Sequence, residues 1–243
     1  MSSAVKADSL EAALEAAIRR FDGTSPVTPQ VHHHFGYAGD APGTHARLRM
    51  QLVLEVVAEE GGDLDDGVDV ACAVEILHNS TLVHDNVEDG AYARFGLAHG
   101  INAGDALCAM AYLQLLEGPA RRSPEQTVLM TRALQEANFA LCAGQAQEIA
   151  FQRDGSIGPD AYLAMIGAKA ALFAVACELG ALVAGATPER TQAYARLGRT
   201  CGMAFQMEDL AYLAEGDALA SATGIDRSGR VRAFIARAIR PAA

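Results

Sequence analysis

Residues 77–89 read Leu77-His78-Asn79-Ser80-Thr81-Leu82-Val83-His84-Asp85-Asn86-Val87-Glu88-Asp89. On a helix, Asp85 and Asp89 stand four apart and share a face. Like charges at that spacing repel and weaken the helix. A cation is expected to neutralise them, and Mg2+ suits bare carboxylate oxygens. Asn86 and Glu88 flank the pair, where they can support it. Acidic pairs are also common on solvated helix ends, and the spacing alone leaves both readings open.

The periodicity around this stretch is helical nearly throughout. Candidate helices are Ser9–Phe21, Gly43–Glu60, Val68–Asp85, Ala98–Leu116, Ser123–Phe151, Pro159–Ala186, Pro188–Asp209 and about Arg227–Arg240. Breakers separate them at Gly61-Gly62, Gly90, Gly118-Pro119, 155–159 and 185–188. Ser123-Pro124-Glu125 and Thr187-Pro188-Glu189 read as an N-cap, a proline in the first turn and an acid beside the positive helix end. No segment alternates with period two, and there is no linker or repeat. The expectation is an all-α fold, a single helical domain over residues 1–243 built on several long helices.

Composition narrows the function. Of the 243 residues, 51% are hydrophobic, which supplies a large core, and the bias toward Ala, Leu and Met favours helix. The formal charge of −11 argues against nucleic acid as a partner, since phosphate backbones need a basic face. An acidic chain that binds a phosphorylated ligand needs metal ions or a few local cations. Cys72, Cys108, Cys142, Cys177 and Cys201 form no CxxC pair and sit in apolar stretches. They read as reduced core residues of a cytoplasmic protein. The N-terminal segment reads as an amphipathic helix without the apolar core of a signal peptide. The most apolar run, Ala161–Ala186, is interrupted by Lys169 and Glu178, so it is expected to be a buried core helix and not a membrane span.

Further residues stand out. Phe205-Gln206-Met207-Glu208-Asp209 closes an otherwise apolar helix with a second carboxylate site. Facing the first site across a bundle, it would make a multi-metal pocket. Lys169 either snorkels to the surface or points into a polar cavity. Arg47 and Arg49 are two apart and diverge on an ideal helix, yet near a helix start both can reach a phosphate. Gly96, Gly100 and Gly104 repeat every four residues, which suggests close approach of another helix. His32, His33 and His34 are consecutive, so they diverge on a helix and read as a polar helix end, not a metal site.

Taken in order from about His33 to Asp209, these pieces resemble the trans-isoprenyl diphosphate synthase (polyprenyl synthetase) family. Asp85–Asp89 resembles its first aspartate-rich motif, with DNVED for DDxxD. The stretch Phe95–Leu107 is similar to the family's segment just C-terminal to that motif. Gly144-Gln145-Ala146-Gln147-Glu148 resembles GQxxD, and Tyr162–Ile166 with Lys169–Phe173 resembles YxxMI and KTAxLF. Phe205–Asp209 resembles the opening of FQxxDDxxD. The resemblance implies an isoprenoid-synthase-type bundle around a central cavity and a prenyltransferase condensing isopentenyl diphosphate with an allylic diphosphate. It implies Mg2+ held by Asp85, Asp89 and Asp209, with Lys169, Gln145 and Gln206 at the allylic diphosphate. It implies Arg47, Arg49 and His78 at isopentenyl diphosphate. It also implies an apolar tunnel past Ser80 and Thr81, whose small size favours products of about C20 or longer, and a homodimer.

The departures bear on catalysis. Asn86 replaces an aspartate, Ala170 replaces a threonine, and Ala46 stands where the family carries the lysine for isopentenyl diphosphate. After Gly90 the chain passes directly to Ala91-Tyr92-Ala93-Arg94, and after Asp209 to Leu210-Ala211-Tyr212, where the family has longer mobile loops. Either the protein is longer than this sequence at both places or the gene carries deletions that impair catalysis; clean excision at two flexible loops favours the first. Two rival readings share the fold: a terpene cyclase, which needs no isopentenyl diphosphate site, and a non-catalytic subunit of a heteromeric synthase.

Overall fold

The computed structural model describes residues 7–23, 27–38, 47–90, 96–119, 122–207 and 211–239. Among them the backbone forms eleven α-helices and no strand. The axis of the bundle is α4 (Leu64–Glu88), with α3 (Leu48–Glu59), α5 (Leu97–Leu116) and α8 (Ala171–Val183) packed around it. Val70, Val74, Ile76 and Leu77 of α4 are wholly buried among Leu52, Val56, Leu107 and Phe173. A helix enclosed on nearly every side loses the polar stripe of a surface helix. Charge is carried outward at its two ends, by Asp65 in the first turn and by Glu88 in the last.

Local chemistry sets the ends. Asp63 caps α4 by accepting from the Asp65 N–H at 3.0 Å. Ser123 and Gln126 close a capping box at the start of α6 (Pro124–Asp154), satisfying two N–H groups reciprocally. Gly155 ends that helix at φ +73°, a left-handed cap that costs glycine nothing. The outer elements are α1 (Ala7–Arg19), α2 (Thr28–Phe35), α7 (Pro159–Lys169), α9 (Pro188–Met207), α10 (Ala211–Thr223) and α11 (Arg230–Ile239). Fully buried Asp226 ties down α11, its carboxylate accepting from the Val231 and Arg232 N–H groups and from Arg232 Nε at 2.8–3.1 Å.

The expected long helix Pro159–Ala186 is two helices. It breaks at Ala170, and the two pieces are bent by 43°. Gly167 lies within a turn of the bend, and Gly202 of α9 is seated against Ala170 and Phe173. Among the described residues no single helix is long and apolar enough to cross a membrane. Two helices were not anticipated, α2 and α10. The histidines on α2 do diverge: His32 meets Asp22 at 2.7 Å and His34 meets Asn79 at 3.0 Å. The glycine face is only partly present. Gly96 is the N-cap of α5 at φ +80°, while Gly104 packs under the His84 ring. The cysteines are free, but not all are core: Cys72, Cys177 and Cys201 are buried, Cys108 is half-buried and Cys142 is exposed.

Helices α8 and α9 approach backbone to backbone. A Cβ on Gly198 would lie 2.4 Å from the Phe173 carbonyl oxygen, so only glycine fits. Gly198→Val should therefore separate the two helices and cost about 1–3 kcal/mol as an overpacked core site. Urea denaturation should show a lower midpoint at unchanged slope.

Candidate active site

Two cavities open along one face of α4. The first, about 380 Å3, is lined by Asp85, Glu88 and Asp89 of the α4 C-terminus, by Gln145, Glu148, Ile149 and Gln152 of α6, and by Lys169. The α6 residues are spaced i, i+3, i+4, i+7, a single helical face. Lys169 ends α7 at the bend, so its stem leaves the core and its ammonium enters the cavity. Gly144 permits this, since a Cβ there would lie 2.9 Å from Ala168 Cβ and 3.4 Å from Lys169 Cγ. Lys169 is paired with Glu148, and Gln145 donates to Glu88 at 2.8 Å.

Four carboxylates thus share a cavity with one ammonium. Three of them stand at the C-terminal, negative end of the α4 dipole, where acids are disfavoured. Burial pushes the Asp85 carboxyl up from its ordinary value. The Lys169 charge opposes the rise, and Glu88, Asp89 and Glu148 add to it. A hard divalent cation would relieve this crowding, and the all-oxygen donor set suits one. Among the described residues no three acids, histidines or cysteines close on one point.

The second cavity, about 110 Å3, is lined by Arg47, Leu48, Arg49, Glu75, His78, Asn79 and Leu82. His78, Leu82 and Asp85 follow i, i+4, i+7 on α4, so the two cavities are about 10 Å apart along that helix. Arg49 Nη1 donates to His78 Nε2 at 2.9 Å, and its guanidinium lies 4.7 Å over the Phe173 ring. A guanidinium only donates, so the His78 proton sits on Nδ1. Burial lowers the Arg49 pKa to about 10, with Glu75 opposing, and the group remains a cation at neutral pH.

The family model for polyprenyl synthetases matches residues 29–212. The chain belongs to the polyprenyl synthetase family. It is 35% identical over 199 residues to a geranylgeranyl diphosphate synthase of Mycobacterium tuberculosis, covering 76% of this chain and 56% of that protein. A geranylgeranyl diphosphate synthase of Methanosarcina mazei is 30% identical, covering 81% and 62%. The chain therefore spans less than two thirds of the length of these relatives. Among solved structures, a polyprenyl synthetase of Streptomyces coelicolor superposes with a TM-score of 0.73 at 32% identity, covering 83% of this chain and 62% of that one. A mint deletion mutant of heterotetrameric geranyl pyrophosphate synthase matches in fold alone, with a TM-score of 0.74 at 19% identity, over 94% of this chain and 98% of that one.

As in the motifs of this polyprenyl synthetase sequence, Asp85, Asp89, Gln145 and Lys169 meet in one cavity, and Arg49 and His78 meet in the other. Asp209 and Ala46 lie outside the described residues. Gln206 is half-buried on the last turn of α9 and is not among the described residues lining the acidic cavity. Arg47 departs from expectation. It borders the second cavity, but it is 6% exposed and its guanidinium is bound bidentately by Glu11 at 2.9 and 3.0 Å. Ser80 also departs, being buried with its hydroxyl donated to the Leu77 carbonyl at 2.7 Å. Thr81, half-buried, caps the His78 carbonyl in the same way. Glu88, expected beside the acid pair, is a cavity wall, while Glu148 and Gln152 were not assigned to the site. The signal for Glu148 was its place in the GQxxD-like stretch; Gln152, one turn further on the same face, had none.

Gly144→Ala tests how α6 seats Lys169. The added methyl should push α6 off Ala168 and Lys169 and lower stability by about 1–3 kcal/mol. Metal affinity should weaken as the Glu148 side of the cavity moves, as read by calorimetric Mg2+ titration beside a thermal melt.

Proposed function

We propose that the chain is a magnesium-dependent trans-prenyltransferase that condenses isopentenyl diphosphate with an allylic diphosphate. The observation that supports this best is the pairing of an acidic cavity with a cationic one on the same face of α4, about 10 Å apart. In this reading Asp85 and Asp89, with Asp209, would hold Mg2+, which would supply positive charge to the leaving diphosphate as the allylic C–O bond ionises. Lys169 exchanges Glu148 for a diphosphate oxygen, and Gln145 orients Glu88 at the rim. Arg49 and His78 hold isopentenyl diphosphate. Once the diphosphate has departed with the C–O electron pair, the isopentenyl double bond attacks the allylic cation, and the new chain gives up a proton to the released diphosphate or to water.

A product of about C20 or longer belongs to the same proposal. Ser80 is satisfied inside the helix, so the support is the small Thr81 one turn before Asp85, together with relatives named as geranylgeranyl diphosphate synthases. Free thiols support a cytoplasmic setting. A homodimer is supported by exposed apolar side chains on α5 and α6, where Leu97, Ile101, Leu113, Leu116 and Val128 are exposed and Phe139 is 78% exposed. Apolar surface of this kind favours burial against a second copy. A second reading, a non-catalytic partner subunit, draws on Ala46 and on the short segments after Gly90 and Asp209.

Two experiments decide. The wild-type chain with Mg2+ should give a longer prenyl diphosphate only when allylic and isopentenyl diphosphates are both present. Hydrocarbon from allylic diphosphate alone would favour a cyclase, and no product from either incubation would favour the partner subunit. Asp85→Ala should lower diphosphate release by roughly a hundredfold or more while circular dichroism is unchanged. Full turnover by that variant rejects the role given to Asp85. Separately, Phe139→Glu should shift the chain from dimer to monomer in light scattering; an unchanged mass rejects the α5–α6 face as the dimer contact.

A further inference from the structure

Arg47 carries two features that substrate binding does not explain. It is the N-cap of α3 at φ 45° and ψ 40°, a left-handed backbone in a residue other than glycine. It is also a buried charge. Strained backbone of this kind persists only where the surroundings over-determine it, and here they do. Glu11 of α1 accepts from Nε and Nη2, and Tyr37 donates its hydroxyl to the same carboxylate at 2.7 Å. Glu75 of α4, 2% exposed, stands 3.5 Å from Nη1. The Phe35 ring faces the guanidinium at 5.2 Å. Glu75 is held in turn by Asn79, which donates to its backbone oxygen at 2.8 Å and to its carboxylate at 3.3 Å. Three helices, α1, α2 and α4, therefore converge on this one cation at the start of α3.

The consequence appears two residues later. Arg47 is the cap from which α3 starts, so rooting it between Glu11 and Glu75 sets where the first turn of the helix begins; Arg49, in that turn, reaches His78 and Phe173. We propose that Glu11, Arg47 and Glu75 form a positioning clamp for the second cavity: Arg47 does not touch the bound diphosphate, but sets the start of α3 so that Arg49 does. This rests on the reading of that cavity as the isopentenyl diphosphate site.

The test uses the whole chain with Mg2+, titrated calorimetrically with isopentenyl diphosphate and assayed in parallel, with Arg49→Gln as the ligand-contact control. Glu75→Gln and Arg47→Lys should each weaken isopentenyl diphosphate binding about tenfold and raise its KM in step, with kcat and the allylic KM changed less than about twofold. A purely structural role would instead lower binding stoichiometry and kcat together and leave Kd in place, which would overturn the proposal. So would the pattern in which Glu11→Gln and Glu75→Gln bind normally while Arg47→Gln loses as much affinity as Arg49→Gln, since Arg47 would then be the ligand. Glu11, at the outer edge of the clamp, keeps the comparison open should Glu75→Gln fail to fold. If the wild-type chain binds no isopentenyl diphosphate, the cavity assignment itself fails, and the clamp falls with it.

Discussion

Negative charge crowded onto the C-terminal end of α4 is the constraint around which the molecule is arranged. Asp85, Glu88 and Asp89 occupy the last turns of the helix, where its own carbonyl dipoles already point. A free helix ending this way would fray. Here the middle of α4, from Val70 to Leu77, is locked in the core, so the acids that follow are held at the wall of a cavity. The apolar energy of the bundle thus offsets an electrostatic arrangement that is unfavourable by itself.

Every other element of the site can be read as a response to that field. The bend at Ala170 brings Lys169 out of an apolar run to face the acids, and Gly144 lets α6 approach closely enough for Glu148 to meet it. The Lys169–Glu148 pair keeps one ammonium near four carboxylates without neutralising them. One face of α4 then carries both charge signs, with Arg49 and His78 about two turns before Asp85. A rigid helix is a good spacer for two charged ligands, because its length does not depend on loops.

Much of this is legible in the chain. The all-helical architecture comes from period and breakers, and the acid pair, Gln145, Lys169, Arg49 and His78 are all marked by residue type and motif. The departures are tertiary in kind. The apolar run from Pro159 carries only Gly167 near the bend, and Gly202, packed against Ala170, belongs to a helix remote in sequence. Arg47 reads as a ligand because its acidic partners, Glu11 and Glu75, lie 36 residues before it and 28 after it, and nothing local links them. Ser80 and Thr81 read alike as small residues, but azimuth on α4 separates a buried hydroxyl from a half-exposed one.

Residue types and spacings by themselves determined the fold class, the position of the acid cluster on a helix and the family. Those properties depend on local periodicity and on the chemistry of single side chains. Which cations stay available was decided only by the assembled structure. Arg47 and Arg49 are chemically identical and two positions apart, yet one is consumed by ion pairs from α1 and α4 while the other faces His78. The field at a guanidinium depends on every charge within several ångströms, and in a folded chain those neighbours come from anywhere in the sequence.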